Sequence, residues 1–296
     1  MSSMRRLPAF LLLLSAACVS TPVIASDGRE WDQARIQNEA RPDPAMQRAV
    51  ERWASLSEAS GLPFSEYSSF LLTYPGFPES ARIRGYAEAA LERGSPDSRT
   101  VVAFFERYPP LTNPARAHYA LALASLNYPG AQTMAVQAWR GGAMSETSES
   151  ALLFRYGDTF SRADHDARMD ALLWAGQTTA AARQIARVST EARALFMERL
   201  NVAQGNAPGS LGLPLSAADL SDPGYMHERV ARARKAGQLH ESIRLLSTRP
   251  PLARPVHDAE KWVKELLTAA RGAGADPAVR IASSIDDAFA PGTDIS

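Results

Sequence analysis

The chain has 296 residues, 45% of them hydrophobic, enough apolar material for an extended core in one large or two ordinary domains. Lys+Arg and Asp+Glu both total 32, so overall charge gives no reason to expect nucleic acid or another strongly charged partner. Lys235, Lys261 and Lys264 are the only lysines; the remaining cations are arginines, which favour fixed, forked ion pairs.

Arg5 and Arg6 precede a short apolar run, 7–19, and the small residues that end at Ala25 fit a secretory signal peptide over 1–25 with cleavage after Ala25. Cys18, the single cysteine, lies inside it, so the exported chain is expected to carry no disulfide, thiol chemistry or cysteine-based zinc site. A lipoprotein anchored at Cys18 is the alternative, although Ser15 stands where a branched apolar residue is expected. Residues 26–44 read as a polar arm with Trp31 as its large anchor.

From residue 45 to 296 the pattern is helical throughout. Helices are expected over 46–59, 64–72 and 79–93, with Pro75 and Pro78 forbidding continuity between the last two. The pattern recurs over 98–108, 115–126, 131–140 and 147–154, with breaks at Pro109-Pro110 and Gly141-Gly142. Within 161–188, Ser161 and Asp164 form a helix-start signature, and Met169, Leu172 and Leu173 form an apolar stripe. Gly176 supplies a left-handed helix end, and a second helix capped by Thr178 or Thr179 follows with a stripe of small residues. A hairpin this short cannot hide both stripes, so it must stack on neighbours of its own kind.

Helix 190–204 comes next, then 206–219, punctuated by Gly, Pro and Ser, reads as a loop. Helices over 225–236, 239–247, 258–271 and 277–284 complete the chain. The last stripe, Val279, Ile281 and Ile285, has no following helix pair to cover it, which predicts a truncated product. Breaks at intervals of roughly 30 to 40 residues predict an all-α fold, a right-handed superhelical solenoid of tetratricopeptide-like helix pairs over 45–296, incomplete at its C-terminus. A single helical bundle is the alternative.

The chemistry-bearing residues form no expected site. Glu149-Ser150 and Glu241-Ser242 sit on amphipathic helices where glutamate is an ordinary solvent-facing residue. His118, His165, His227, His240 and His257 make no pair at helical spacing, and His165-Asp166 lies in a first helical turn where polar residues belong. The glycines of 205–212 lack the preceding strand and the Lys-Ser/Thr of a phosphate loop. Trp53, Trp139, Trp174 and Trp262 occupy apolar-stripe positions and are expected in the core; Tyr74, Tyr108 and Tyr128 stand beside prolines and are expected to lock inter-helix corners. No catalytic, cofactor-binding or metal-ligating residue is assigned.

Several of these segments resemble the soluble lytic murein transglycosylases: 71–78 running into Arg84 and 87–91, the stretch Phe104–Pro110, the helix 135–139, the hairpin 164–176, and Arg249-Pro250-Pro251 leading to Trp262 and Ala270-Arg271. The similarity extends over most of 31–284, through packing motifs. It implies a periplasmic protein with an α-superhelical region followed, in the family, by a lysozyme-like domain that cleaves the MurNAc–GlcNAc bond without water. One glutamate of that domain acts as acid and then as base. The family's Glu-Ser-x-Phe signature is absent: Glu149-Ser150 has Leu152 where Phe belongs, so no catalytic residue is transferred and the chain alone is expected to be inactive. The partners implied are peptidoglycan, a lysozyme-like domain and other cell-wall proteins, with no nucleic acid, no cofactor, and a membrane only through Cys18. A free-standing periplasmic scaffold that binds proteins is the second reading, and an unstable product of a degenerate reading frame the third.

Overall fold

The computed structural model describes Asp32, Arg35 and residues 43–293. The expected signal peptide, Cys18 and most of the arm, Trp31 included, lie outside the described residues. Fifteen α-helices and no strand occur among the described residues. No described helix is long and apolar enough to cross a membrane. The first, α1 (Pro44–Glu58), leads into the compact unit Arg52–Ser296.

In that unit α2 (Phe64–Thr73), α3 (Ser80–Leu91), α4 (Ser98–Arg107) and α5 (Asn113–Ser125) are followed by α6 (Ala131–Arg140) and α7 (Glu146–Tyr156). Then come α8 (Arg162–Trp174), α9 (Thr178–Gln184), α10 (Thr190–Ala203) and the single turn α11 (Ala217–Leu220). The chain closes with α12 (Pro223–Lys235), α13 (Leu239–Ser247), α14 (Ala259–Gly272) and α15 (Ala275–Ser283). Helices pack on the next and the next but one: α2 on α3 and α4, α3 on α5, α6 on α8, α8 on α10, α10 on α12, α12 on α14. This is the connectivity of a helix-pair solenoid, because a two-helix unit has one apolar edge left for the unit before it and one for the unit after it.

The core follows the same order. Leu56, Phe64, Tyr67 and Phe104 start it, with the Phe64 and Phe104 rings edge to face at 5.3 Å between centroids. Leu152, Trp139 and Phe160 continue it, then Met169, Leu172 and Phe196, and finally Trp174, Met226 and Trp262. Trp139, Trp174 and Trp262 are buried as their stripe positions predict, and Trp53 is partly buried with its indole N–H donating to the Pro78 carbonyl at 2.8 Å.

Two corners show how prolines are accommodated. At Pro109-Pro110 the Tyr108 hydroxyl donates to the Leu71 carbonyl at 2.9 Å and Arg84 donates to the Pro109 carbonyl at 2.8 Å. Buried Glu88 accepts from the backbone N–H of Leu111 and of Thr112, so the chain that cannot pair within a helix is paired across to α3. Tyr74 packs on Phe70 and Phe77 at the earlier corner. Tyr128 departs from expectation: its side chain is exposed and makes no hydrogen bond or ring contact among the described residues.

Ser161 and Asp164 form the reciprocal capping box at the start of α8, each side chain accepting from the other's backbone N–H. Ser161→Ala should therefore lower stability by about 1 kcal/mol, read as a shift in the urea midpoint with an unchanged slope. The second helix of the hairpin is shorter than its pattern suggests, and Gln177 holds its N-cap position without a side-chain cap, so neither threonine caps it. Gly176 has φ 71°, and Gly237, at the equivalent Ala-Gly-Gln of the α12–α13 pair, has φ 73°; both end helices in the left-handed conformation that other residues rarely adopt.

Two further expectations are corrected. The stretch 206–219 is not all loop, since Ser216 and Asp219 build a second capping box that starts α11. The terminal stripe is also not bare. Ile281 is buried in a cluster with Val256, Ile285, Ala288 and Phe289, and the Val256 N–H donates to the Ala288 carbonyl at 2.9 Å; only Val279 remains exposed. The chain after α15 folds back and does the covering expected of a further helix pair.

Candidate functional site

The interior of the α8–α14 region is charged. Asp170 on α8, Arg199 on α10 and Glu228 on α12 follow one another at 29-residue intervals, one per helix pair. Arg199, with no exposed surface, donates to Asp170 Oδ1 at 2.6 Å, to both Glu228 oxygens at 3.0–3.2 Å, and lies 3.4 Å from Asp222. Arg254, from the proline-rich segment before α14, joins Asp170 at 3.1 Å and Asp222 at 3.0 Å. Asp222 also caps α12 by accepting from the Tyr225 N–H at 2.9 Å. Three carboxyl groups thus share two guanidinium groups and tie three successive helix pairs together.

Charge arithmetic explains how these groups titrate. Burial works against Asp170, but Arg199 and Arg254 hold its carboxyl below the ordinary range. Glu228 is pushed up to about 7 by burial, which Arg199 offsets only in part, and the negative charges of Asp222 and Asp170 push in the same direction as burial. Arg199 stays charged: burial opposes this, and Glu228, Asp170 and Asp222 overcome it.

A second network lies one repeat earlier. Arg168 is buried with its guanidinium 4.0 Å from the centre of the Trp139 ring and 3.2 Å from Glu149. Burial lowers its pKa to about 10. Glu149 also takes Arg183 at 2.9 Å, so it is an interior residue and not the solvent-facing one its helix pattern suggested. His165 is likewise buried: it accepts from the Trp139 indole N–H at 3.1 Å and lies 3.2 Å from the Gln184 amide. Glu241 matches its expected surface role, in an ion pair with Arg244 three residues on.

Beside the ladder, a cavity of about 500 Å³ opens where α8, α10 and α12 end and the first half of α14 passes. Its polar lining includes Arg232, Arg234, Lys235, Lys261 and Lys264, so all three lysines of the chain meet there. Lys261 donates to the Trp174 carbonyl at 2.7 Å and pairs with Asp258 at 3.0 Å; Arg232 donates to the Gly205 carbonyl at 3.0 Å. Helix ends leave carbonyls without internal partners and carry partial negative charge, so cations are favoured there. Arg234 grips Glu265 through two nitrogens at 2.8 Å. The inner wall carries Trp174, on which the His227 ring stacks with centroids 4.4 Å apart. Burial depresses the His227 pKa to about 4.

Glu228 also lines this cavity, and a buried carboxyl raised toward neutrality has the property a general acid needs. Arg199 holds both of its oxygens, which commits the group to the ladder. The cavity can offer an anion several positive donors beside an apolar wall. Of the acids weighed from the sequence, Glu149 is buried but paired and Glu241 lies at the surface; Glu228 carries no local signal of its own. The signal that could have found it is the 29-residue spacing with alternating sign from Asp170 to Arg199 to Glu228. Of the histidines weighed as ligands, His227 and His257 come near one another through Trp174, whereas His118 pairs with Glu92 at 2.8 Å in another repeat.

Comparison with family models, curated proteins and solved structures found no match to this chain.

Proposed function

We propose that this chain is a superhelical scaffold of the periplasm, exported by its leader and acting in peptidoglycan processing as the non-catalytic part of a lytic transglycosylase. The observation that carries the reading is the charge ladder Asp170–Arg199–Glu228, which ties three helix pairs into a stack through buried ion pairs. A stack fixed in this way suits a body that holds a substrate or an active domain in place. The corners at Tyr74 and Tyr108 and the α8–α9 hairpin, on which the resemblance to the transglycosylases rests, are packing features of the same stack. A second reading, a free-standing periplasmic repeat protein that binds a partner, is favoured by the lysine-lined cavity.

Incubating purified full-length chain with isolated murein sacculi tests the first reading. The chain should sediment with the sacculi and release no anhydro-muropeptides. Failure to sediment removes the peptidoglycan assignment, and release of anhydro products removes the non-catalytic one.

A further inference from the structure

The chain is neutral overall, yet five cationic side chains line one cavity and only two carboxyl groups line it with them. Both carboxyl groups are engaged, Glu265 by Arg234 and Glu228 by Arg199. Lys261 and Arg232 are accounted for by helix-end carbonyls and Asp258. Lys235, in the last turn of α12, is favoured by the dipole of its own helix. Lys264 has neither explanation: it stands mid-helix on α14, and among the described residues neither its ammonium group nor that of Lys235 has an ion-pair or hydrogen-bond partner. Two exposed ammonium groups that line one cavity with three other cations gain from an anion in it.

The rest of the lining narrows the chemistry of that anion. Ala175 and Ala236 end helices with carbonyls that accept no hydrogen bond among the described residues, which offers acceptors and disfavours a ligand that is negative throughout. Trp174, Val202 and Ala231 add an apolar wall. A ligand matched to all three features has a carboxylate, N–H donors and a small apolar part, and a volume of about 500 Å³ holds a molecule of a few residues. We propose that this cavity binds the carboxyl end of a short peptide, with the carboxylate between Lys235 and Lys264 and the amide N–H groups toward the helix-end carbonyls. The proposal stands whether or not the chain acts on murein.

Calorimetric titration of the full chain at low salt tests it with three probes: N-acetyl-trialanine with a free carboxylate, the same peptide as its C-terminal amide, and inorganic phosphate. The free acid should bind and the amide should bind at least about tenfold more weakly. The double variant Lys235→Gln, Lys264→Gln should lose the acid by a similar factor with a melting temperature lowered by no more than about 4 °C, since both side chains are exposed and only the helix-end contribution of Lys235 is lost. Equal binding of acid and amide, no binding of the acid, retention by the double variant, or phosphate binding as tightly as the peptide would each overturn it, the last by reducing the cavity to a general anion site.

Discussion

Replacing Arg199 by methionine should destabilise the fold by about 3–5 kcal/mol, a large share of the whole stability of an ordinary domain. The size follows from what stays behind: Asp170 and Asp222 would share only Arg254, and Glu228 would lose its guanidinium partner, in a buried site that excludes the water needed to solvate them. Urea denaturation measures it. The same change made together with Asp170→Asn and Glu228→Gln should recover most of the loss, because the cost lies mainly in stranded charge and less in the absent contact. A loss under about 1 kcal/mol for Arg199→Met alone would show that the ladder is solvated and contributes little. Gly224→Ala reports on the same place from the backbone side, since a Cβ there would fall 2.0 Å from an Arg199 terminal nitrogen and must displace the guanidinium.

The second large effect is in the pH dependence, where two buried groups oppose each other. Glu228 in the folded chain is raised to about 7 against an unfolded value near 4.5, so between those values the native state holds a proton that the unfolded state lacks. Its contribution to stability grows as pH falls through that window and is lost as pH rises through about 7. His227 is depressed to about 4 from 6.5, so the unfolded state takes up the proton first. Its contribution is present above about pH 6.5 and is lost as pH falls toward 4. In the native chain the two trends largely cancel over this window.

Glu228→Gln should unmask the histidine, with a loss of about 2 kcal/mol between about pH 7.5 and about pH 5, while His227→Phe should leave the glutamic acid unopposed and reverse the slope. Asp164, Asp170 and Asp287 are held below the ordinary range, so their stabilisation disappears only at more acid pH, outside the window. Denaturant midpoints across the pH range check both variants. Parallel slopes in the two would rule out this assignment.

Much of the fold was legible locally. The period of Met169, Leu172 and Leu173, the box at Ser161 and Asp164, and the glycine at 176 depend on residues within one or two turns, and the structure bears them out. Trp139, Trp174 and Trp262 are core residues for a similar reason: an indole on an apolar stripe has one economical place to go. The short helix α11 was missed because its signal, Ser216 with Asp219, is surrounded by glycine and proline that indicate turns. The covering of Ile281 was missed because Val256 and Phe289 approach it from either side of two helices, at sequence distances that no stripe pattern spans.

The site belongs to the second kind of information. Glu149, Asp170, Arg199 and Glu228 stand at positions where charged residues are usually solvated, and whether such a group is buried depends on a partner a full repeat away. The lysines are likewise unremarkable at 235, 261 and 264 until α14 packs on α12 and brings them to one cavity. The amino-acid sequence by itself determined that the chain is helical, where most of the helices lie, and which apolar edge each must bury, because those follow from hydrogen bonding and periodicity within a helix. The tertiary structure alone decided which charges are interior and which meet at the cavity, because electrostatic energy depends on through-space distance and local solvation, and both are set only when separate helices stack.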